Sequence, residues 1–256
     1  MNLPNGVALG HYALRRLLND RRAAAAGVPI ADAFLTVRRR QGLVLDAQDA
    51  DVPLPIASLT KLRTAIVARV LSDRLGDVIV VEDQDFIASS GNFRPGDIVP
   101  VDALISAMML CSDNVAAQAL ARVCGGNAFI DALNDGEVGT FFDAWGGGVA
   151  SARNVAKMMM AYQEDTYLLR RALDTNYRAV VGGPHARELR LRNRTASRSK
   201  IPGFIWGKTG TSEFRASLGF SWNHCGENYV TVILRSLGNR FRDGEIMVER
   251  AVSKHA

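Results

Sequence analysis

The sequence has few cysteines and no long apolar run, and each shortage excludes a class of protein. Its three cysteines are an odd number, so they cannot form a disulfide framework, and their spacing matches no zinc motif. Every apolar stretch falls far short of the about 18 residues that a membrane-spanning helix needs. The first 22 residues also lack the uninterrupted apolar core of a signal peptide, because basic residues break each run. We therefore expect either a cytoplasmic protein or a mature form from which a leader has been removed.

The composition is typical of a soluble globular protein. Of its 256 residues, 48% are hydrophobic and 22% are charged, which excludes a disordered polymer, a collagen and a coiled coil. The 31 basic residues outnumber the 26 acidic residues, and the net charge of +5 favours an anionic environment: nucleic acid, cell-wall polymer or a membrane surface. No internal repeat or low-complexity linker is present, so we expect one compact unit.

Apolar periodicity predicts strands at both ends of the chain and helices between them. Two short apolar runs at 33–37 and 42–47, separated by three arginines and a glutamine, predict a β-hairpin. Helical periodicity is present over 8–26, 57–76, 101–111, 114–124, 126–134, 151–163 and 244–256. Strand signals return only after Pro202, over 203–210, 216–222 and 229–237.

This order of elements predicts a mixed α/β (α+β) fold. Because a lone hairpin is unstable in water, the early hairpin must pair with the late strands. The result is one antiparallel sheet built from both chain ends and flanked by helices, with a mostly helical inserted subdomain. We expect a single domain over 1–256, with a sheet subdomain over about 1–57 and 170–256 and a helical subdomain over about 58–169.

Ser58 and Lys61 open the long predicted helix. Residues three apart lie on one face of a helix, so the hydroxyl and the amine can meet. Free backbone N–H groups and the positive end of the helix dipole would stabilise an oxyanion beside Ser58. Lys61 can act as a base only if burial or a nearby cation lowers its pKa. The alternative is a helix N-cap beside a solvated lysine, since a second Ser-x-x-Lys occurs at 197–200.

A Ser-Asp-Asn motif lies between two predicted helices. Ser112 and Asn114 are two apart in a turn, so a hydroxyl and an amide can aim at a common point. The alternative is a plain helix cap, because Ser-x-Asn also occurs at 90–92 and 221–223. This motif alone therefore identifies no function.

A Lys-Thr-Gly motif lies in the first late strand. Lys208 and the hydroxyls of Thr209 and Thr211 can hold a substrate carboxylate. Gly210 lets a ligand backbone come close to the strand. The alternative for Lys208 is an edge-strand charge. A P-loop is excluded, because Pro202 stands where its first glycine is required.

The three motifs together, in this order, point to one family. Ser-x-x-Lys, Ser-Asp-Asn and Lys-Thr-Gly are the joint signature of β-lactamases and penicillin-binding proteins. The chain resembles the penicillin-binding DD-peptidases, most of all the serine-type D-alanyl-D-alanine carboxypeptidases of low molecular mass. The likeness lies in 57–65, 104–121, 151–159 and 205–212, and runs from about residue 30 to 236. It implies a β-lactamase/transpeptidase-like fold and a single catalytic domain.

The resemblance also implies catalytic roles for the motif residues. Ser58 would attack the carbonyl of the penultimate D-alanine while Lys61 takes its proton. Ser112 would pass a proton to the leaving amine, and Asn114 would orient Lys61 and the substrate amide. Backbone N–H groups of Ser58 and Thr211 would bind the oxyanion, a device worth about 3–4 kcal/mol per donor.

Substrate and partners follow from the same resemblance. Lys208, Thr209 and Thr211 would bind the terminal carboxylate of a peptidoglycan stem peptide, with Gly210 beside them. β-Lactam antibiotics would act as covalent inhibitors through the acyl-enzyme. The family's reaction needs no metal or cofactor, and we expect no nucleic-acid partner and no transmembrane segment. Work on the cell wall implies a periplasmic or extracytoplasmic protein whose signal peptide has been removed.

Other functions on this fold, and one outside it, stay open. A DD-transpeptidase or endopeptidase would carry the same motifs, because the choice of acceptor leaves little trace in them. A class A β-lactamase needs a glutamate to activate the deacylating water, and the stretch 141–151 contains none; Glu137 and Glu164 flank it in the wrong context. A catalytically idle peptide- or anionic-polymer-binding protein is the non-enzyme alternative. The basic segment 187–200 is predicted to be a solvated loop.

Several features depart from the family or stay unassigned. The stretch 134–151 is shorter than usual, so the floor of the cleft is expected to differ. An arginine that helps to bind the carboxylate in some members has no clear counterpart, and Arg240 and Arg242 are candidates. Cys111 is expected to be a buried apolar residue beside the second motif. The four histidines are scattered along the chain and are expected at the surface.

Overall fold

The structure, a computed structural model, describes residues 27–69, 77–86, 92–212 and 215–255, together with residues 18 and 25. The strands, in chain order, are β1 (Ala33–Arg38), β2 (Leu43–Gln48), β3 (Leu54–Pro55), β4 (Val78–Val80), β5 (Ile98–Pro100), β6 (Thr140–Phe141), β7 (Gly148–Ala150), β8 (Asn176–Val181), β9 (Arg187–Arg192), β10 (Phe204–Ser212), β11 (Arg215–His224) and β12 (Glu227–Ser236). The helices are α1 (Thr60–Val67), α2 (Val101–Cys111), α3 (Asn114–Val123), α4 (Asn127–Asn134), α5 (Ala152–Glu164), α6 (Thr166–Leu173) and α7 (Arg240–His255).

The main sheet joins the early and late parts of the chain. Its strand order is β10-β11-β12-β1-β2, and every neighbouring pair is antiparallel. β1 lies between β12 and β2, with Ala33 opposite Leu234 and Arg38 opposite Tyr229. The predicted hairpin, the three late strands and the antiparallel sheet that both parts of the chain build in an α/β fold are therefore confirmed.

Helices cover both faces of this sheet. In β12, Val230 and Val232 belong to the larger core, which α5 shares, whereas Ile233 belongs to the core beneath α7. This division follows from the period of two along a strand. α5 lies so close to the sheet that a Cβ on Gly219 of β11 would be 2.6 Å from Met159 Sδ. Each fully buried aliphatic side chain in these layers stabilises the fold by about 1.5–3 kcal/mol.

α2 is the central helix of the inserted segment. Every residue from Ala103 to Cys111 is buried, so this stretch has no solvent-facing side. The helix ends at Ser112, whose φ of 59° and ψ of 38° lie in the left-handed region. Asp113 then caps α3, because its side chain accepts a hydrogen bond from the N–H of Ala116 at 3.0 Å. The second motif is therefore the junction between two helices.

The segment 187–200, predicted to be a solvated loop, begins with a strand. β9 pairs with β8 in a separate antiparallel hairpin. Leu189 and Leu191 are buried and alternate with exposed charged residues, which is the pattern of a half-buried strand. Because only two apolar residues stand among arginines, the signal is weak. The prediction that strands return only after Pro202 is wrong.

The predicted helices of the insertion agree closely with α2, α3, α4 and α5, whose ends differ from the prediction by at most one residue. The helix predicted from residue 57 begins with a 3-10 turn, Ala57–Leu59, before α1, and its predicted end lies outside the described residues. The closing helix begins at Arg240 rather than at 244. α6 and the short strands of the insertion have no counterpart in the prediction.

The helix predicted over 8–26 lies outside the described residues, apart from residues 18 and 25. Over the described part of the chain, no helix combines the length and the apolar character needed to cross a bilayer.

Candidate active site

Ser58 lies at a tight bend immediately before α1. The preceding residue, Ala57, has a φ of 49°, a conformation that costs a non-glycine residue about 1–2 kcal/mol and that recurs at active sites. The N–H of Ile56 donates to the carbonyl of Gly148 at 2.9 Å, which holds the chain as it enters the bend. Ser58 is partly exposed and lines the main cleft of the molecule.

Lys61 lies one turn further along and reaches back to Ser58. Its Nζ is 3.0 Å from Ser58 Oγ and 2.7 Å from Asn114 Oδ1, and it also donates to the carbonyl oxygen of Trp145. None of these three acceptors is a carboxylate. The first two motifs are therefore joined through one amine.

The environment of Lys61 disfavours its charged form. The side chain is fully buried, and burial lowers the pKa of Lys61 to about 7. The negative charges of Asp113 and Asp143 act in the opposite direction and only partly offset the effect of burial. A substantial fraction of the amine is therefore neutral at neutral pH, and a neutral amine beside a hydroxyl is a general base.

A loop within the short stretch 134–151, to whose residues the sequence analysis assigned no role, positions Lys61. Asp143 Oδ1 accepts hydrogen bonds from the backbone N–H groups of residues 145–147 at 2.8, 2.7 and 2.8 Å. Thr64 Oγ1 donates to a backbone carbonyl of the same loop at 2.6 Å and ties it to α1. These bonds fix the Trp145 carbonyl that accepts from Lys61. An aspartate three residues before a run of three glycines is the signal that could have marked this tight turn.

Ser112 and Asn114 face two different lysines. Ser112 Oγ accepts a hydrogen bond from Lys208 Nζ at 2.8 Å, whereas Asn114 Oδ1 accepts from Lys61 Nζ. Asp113 between them is completely buried and serves as the helix cap. The motif thus combines the cap with a polar contact on either side of it.

Lys208 is the second buried amine of the site. Its side chain is 1% exposed, and besides Ser112 its Nζ donates to the Thr209 carbonyl at 3.1 Å. Burial, and then the positive charges of Lys61 and Arg240, hold the pKa of Lys208 well below its usual range. Such an amine gains most from an anionic ligand, because a carboxylate would compensate the buried charge.

Gly210 lets β10 lie directly against the bend that carries Ser58. A Cβ at this position would be 2.5 Å from the carbonyl oxygen of Ile56 and 3.4 Å from the N atom of Leu59. No side chain fits between two backbones at that distance. The glycine of the third motif is therefore required by packing within the protein.

Arg240 is the one of the two candidate arginines that lies in the cleft. Its Nη1 donates to the carbonyls of Gly210 and Ser217 at 2.5 and 2.9 Å, and its Nη2 donates to Thr211 Oγ1 at 2.7 Å. Arg242 instead pairs with a glutamate of its own helix at 2.7 Å. The position at the start of α7 brings Arg240 to the third motif.

The cleft has a volume of about 610 Å³. Residues from all three motifs line it: Ser58, Ser112, Asn114, Lys208, Thr209 and Thr211. Lys61 and Gly210 lie behind this lining, and they contact it through Ser58 and through the bend before it. All eight residues singled out in the sequence therefore meet at one place.

The remaining predicted features lie apart from this chemistry. Cys111 is buried beside the second motif, and all three cysteines are free. Glu137 and Glu164 are exposed and do not line the cleft. His185 and His224 are exposed, and the other two histidine side chains fall outside the described residues. Within the described ranges, no group of three or more metal-ligating side chains is present.

Comparison with solved structures identifies the fold. A D-alanyl-D-alanine carboxypeptidase from Mycobacterium tuberculosis superimposes with a TM-score of 0.78 at 20% identity, over 88% of this chain and 92% of that chain. A variant of a Streptomyces DD-transpeptidase superimposes with a TM-score of 0.80 at 21% identity, over 88% of this chain and 99% of that chain. The similarity to these proteins is one of fold.

Comparison of sequences identifies the family. A D-alanyl-D-alanine endopeptidase from Haemophilus influenzae is 33% identical over 111 residues, which are 41% of this chain and 38% of the length of that relative. The family model of the D-alanyl-D-alanine carboxypeptidases matches residues 21–218, which is most of the chain. With this match and the three motifs in one cleft, the chain belongs to the D-alanyl-D-alanine carboxypeptidase family.

Proposed function

We propose that this protein is a serine-type D-alanyl-D-alanine carboxypeptidase that removes the terminal D-alanine of peptidoglycan stem peptides. The observation that carries the proposal is the position of Lys61. Its buried Nζ, with a pKa of about 7, is 3.0 Å from the hydroxyl of Ser58. That pair can begin acyl transfer without any further group, because the amine can accept the proton that the hydroxyl must lose.

The first step is acylation of Ser58. Neutral Lys61 accepts the hydroxyl proton while Oγ forms a bond to the carbonyl carbon of the penultimate D-alanine. The carbonyl oxygen becomes an oxyanion, for which we propose the backbone N–H groups of Ser58 and Thr211 as donors. Removing one such donor typically costs about 3–4 kcal/mol of transition-state stabilisation. Asn114 holds Lys61 in position through its 2.7 Å hydrogen bond.

The second step expels D-alanine. The bond from the carbonyl carbon to the amide nitrogen breaks, and the leaving nitrogen needs a proton to depart as an amine. Ser112, whose Oγ is oriented by Lys208 Nζ at 2.8 Å, can relay this proton. Its hydroxyl gives a proton to the nitrogen and is reprotonated with the one that Lys61 took from Ser58, so Lys61 is neutral again. The carboxylate of the leaving D-alanine is held by Lys208, Thr209, Thr211 and Arg240, the polar groups of this end of the cleft.

Water completes the reaction. Lys61 removes a proton from the attacking water, the ester of Ser58 is hydrolysed, and the serine regains its proton. A β-lactam would acylate the same serine in the same way. Neither candidate glutamate of a class A β-lactamase lines the cleft, so the acyl-enzyme of a β-lactam is expected to be long-lived. We accordingly propose β-lactams as covalent inhibitors and peptidoglycan as the substrate.

The proposal includes one catalytic domain that combines the sheet and the helical insertion, acting on peptidoglycan outside the cytoplasmic membrane. Transpeptidation or endopeptidase action on the same acyl-enzyme is the second candidate. The endopeptidase relative supports it over a limited stretch of 111 residues.

Intact-protein mass after incubation with benzylpenicillin tests the proposal, for the wild type and for Ser58→Ala. We expect a stable adduct on the wild type alone, together with release of D-alanine from diacetyl-L-Lys-D-Ala-D-Ala. Rapid penicillin consumption without an adduct would favour a β-lactamase. Neither an adduct nor consumption, in a folded sample, would overturn the catalytic proposal and favour a protein that only binds peptide.

A further inference from the structure

The main cleft extends from Ser58 toward the leaving-group side. Its lining includes Ser112, Lys208 and Arg240, and none of the residues of the 143–147 loop on the other side of Lys61. A volume of about 610 Å³ is several times what a single D-alanine fills. The cleft therefore has room for more of a substrate than the D-alanine that the carboxypeptidase reaction releases.

The charge of this cleft also exceeds the needs of one carboxylate. Its lining includes four basic residues, Arg194, Arg198, Lys208 and Arg240, and no acidic residue. Lys208 belongs to the third motif and Arg240 donates to Thr211 Oγ1 beside it, and the proposed function assigns both to the terminal carboxylate. Arg194 and Arg198 are exposed, and neither forms an ion pair within the described part of the chain. Two guanidinium groups are thus left to bind a ligand.

The turn that carries these two arginines is rigidly attached to the rest of the molecule. Asn193 is buried, and its side-chain amide donates two hydrogen bonds of 3.1 Å to carbonyls at the end of α6. Its Oδ1 accepts from the N–H groups of Thr195 and Ala196 at 3.1 and 3.0 Å. The N–H of Arg194 donates to the Leu110 carbonyl at 3.0 Å, close to Ser112. The arginines are therefore held at the wall of the cleft.

We propose that Arg194 and Arg198 form a second anion subsite, which selects leaving groups that carry a carboxylate in addition to the α-carboxylate. This inference rests on the proposed function and specifies its substrate class. The favoured leaving group is the amine of a dicarboxylic D-amino acid, whether free at the end of a peptide or part of a second peptide joined through that amine. The carbon–nitrogen bond breaks, the amine departs with a proton from Ser112, and water hydrolyses the ester of Ser58.

Two peptides that differ by a single charge test the subsite. Diacetyl-L-Lys-D-Ala-D-Glu and diacetyl-L-Lys-D-Ala-D-Gln have the same size, and only the first carries the second carboxylate. We expect the wild type to favour the D-Glu peptide by about tenfold in kcat/KM, a ratio typical of a charge-assisted hydrogen bond. In the double variant Arg194→Gln, Arg198→Gln this ratio is expected to fall to near one. Raising the salt concentration should lower the ratio in the wild type, because the arginines are exposed.

A matched control is available on the far edge of the sheet. Arg40 is exposed in the turn between β1 and β2. These two strands lie three and four strand spacings of about 4.8 Å from β10. Arg40→Gln removes the same charge there, and it should leave the D-Glu to D-Gln ratio unchanged. Acylation by benzylpenicillin confirms that each variant is folded.

The outcomes separate this inference from the proposed function. A wild-type ratio near one, or an unchanged ratio in the double variant, would overturn the subsite even if D-Ala-D-Ala is hydrolysed. If the wild type hydrolyses no peptide, the proposed function fails, and the subsite is then tested by peptide binding instead of hydrolysis. The dissociation constants of both peptides are then measured by calorimetry with the Ser58→Ala protein. The subsite is supported if Ser58→Ala binds the D-Glu peptide more tightly than the D-Gln peptide and the preference disappears when both arginines are also replaced by glutamine. Equal dissociation constants for the two peptides contradict it.

Discussion

Lys61 and Lys208 lie on opposite sides of the turn formed by the second motif, and each donates a hydrogen bond to it. Lys61 donates to Asn114 at 2.7 Å, and Lys208 donates to Ser112 at 2.8 Å. Both amines are buried, and each lacks a hydrogen-bonded carboxylate among the described residues. Burial, and then the positive charge of Lys61, lower the pKa of Lys208. The site is thus prepared both to remove a proton from Ser58 and to receive an anion.

The pH dependence of acylation follows from the lowered pKa of Lys61. The neutral amine is the active form, so the rate is expected to fall as the pH drops through about 7, the pKa of this group. The second-order rate constant for acylation by benzylpenicillin, measured from pH 5.5 to 8.5, checks this. A rate that is constant across that range would rule out Lys61 as the base.

Asp143 is a positioning residue whose charge raises the pKa of Lys61. Asp143→Asn keeps an oxygen that can accept from the loop N–H groups and removes the charge. We expect the midpoint of the acylation profile to move to lower pH, with a loss of rate of at most about tenfold from the weaker loop hydrogen bonds. Asp131→Asn, at an exposed position on α4, is the control and should not move the midpoint. A loss of rate without a shifted midpoint would mean that Asp143 has only a structural role.

Gly210→Ala is expected to separate β10 from the bend that carries Ser58. The added Cβ would be 2.5 Å from the Ile56 carbonyl oxygen, so one backbone must move. A displacement of about 1 Å at a catalytic centre can cost about 100-fold in rate, and overpacking costs about 1–3 kcal/mol of stability. Gly182→Ala is the control, because its added Cβ would make only an ordinary contact, 3.4 Å from Ile98 Cβ, and the residue does not line the cleft. The acylation rate and the urea unfolding of both variants are measured. Equal acylation rates in the two variants would contradict the requirement for glycine at position 210.

Replacement of Arg240 and replacement of Arg242, the two candidates for binding the substrate carboxylate, are expected to affect kcat/KM differently. Arg240→Ala removes a guanidinium group of the cleft, and the loss of a charge-assisted contact should lower kcat/KM for a D-Ala-D-Ala peptide by about 10- to 100-fold. Arg242→Ala should change it less than about twofold, since Arg242 pairs at the surface with a glutamate of its own helix. Because Arg240 also bonds to backbone carbonyls of β10 and β11, Arg240→Lys is included to separate charge from packing. Similar losses in Arg240→Ala and Arg242→Ala would refute this assignment.

Most of the sheet could be predicted from the sequence, because its strands are apolar and its hairpin is short. β9 could not be predicted, because four of its six residues are charged. Its alternation of apolar and charged residues rests on Leu189 and Leu191 alone, which is too short to distinguish a strand from a loop. α6 also lacks a clear signal, with two arginines in a helix of eight residues. Tertiary packing against α2 decides these elements.

Only the motif residues of the candidate site could be predicted from the sequence. The three strings name the residues that meet, but the 143–147 loop contains no recognised motif, and its importance depends on a backbone carbonyl. Every residue has a backbone carbonyl, so the sequence can indicate this one only through the residues that favour the turn around it. The choice between Arg240 and Arg242 likewise depends on where α7 begins, because two positions along a helix point in very different directions.

The pairing of β1 with β12 has a consequence for how the protein matures. Thr36 and Thr231 share a buried hydrogen bond although 195 residues separate them. A nascent chain on the ribosome has therefore made Ser58, Lys61 and the second motif long before the strand that bears Lys208 can be ordered in the sheet. Contacts of such long range form slowly, and helices with mainly local contacts can form first. The third motif can therefore join the other two only after the last strands have been synthesised, so the complete active site exists only when the chain is nearly finished.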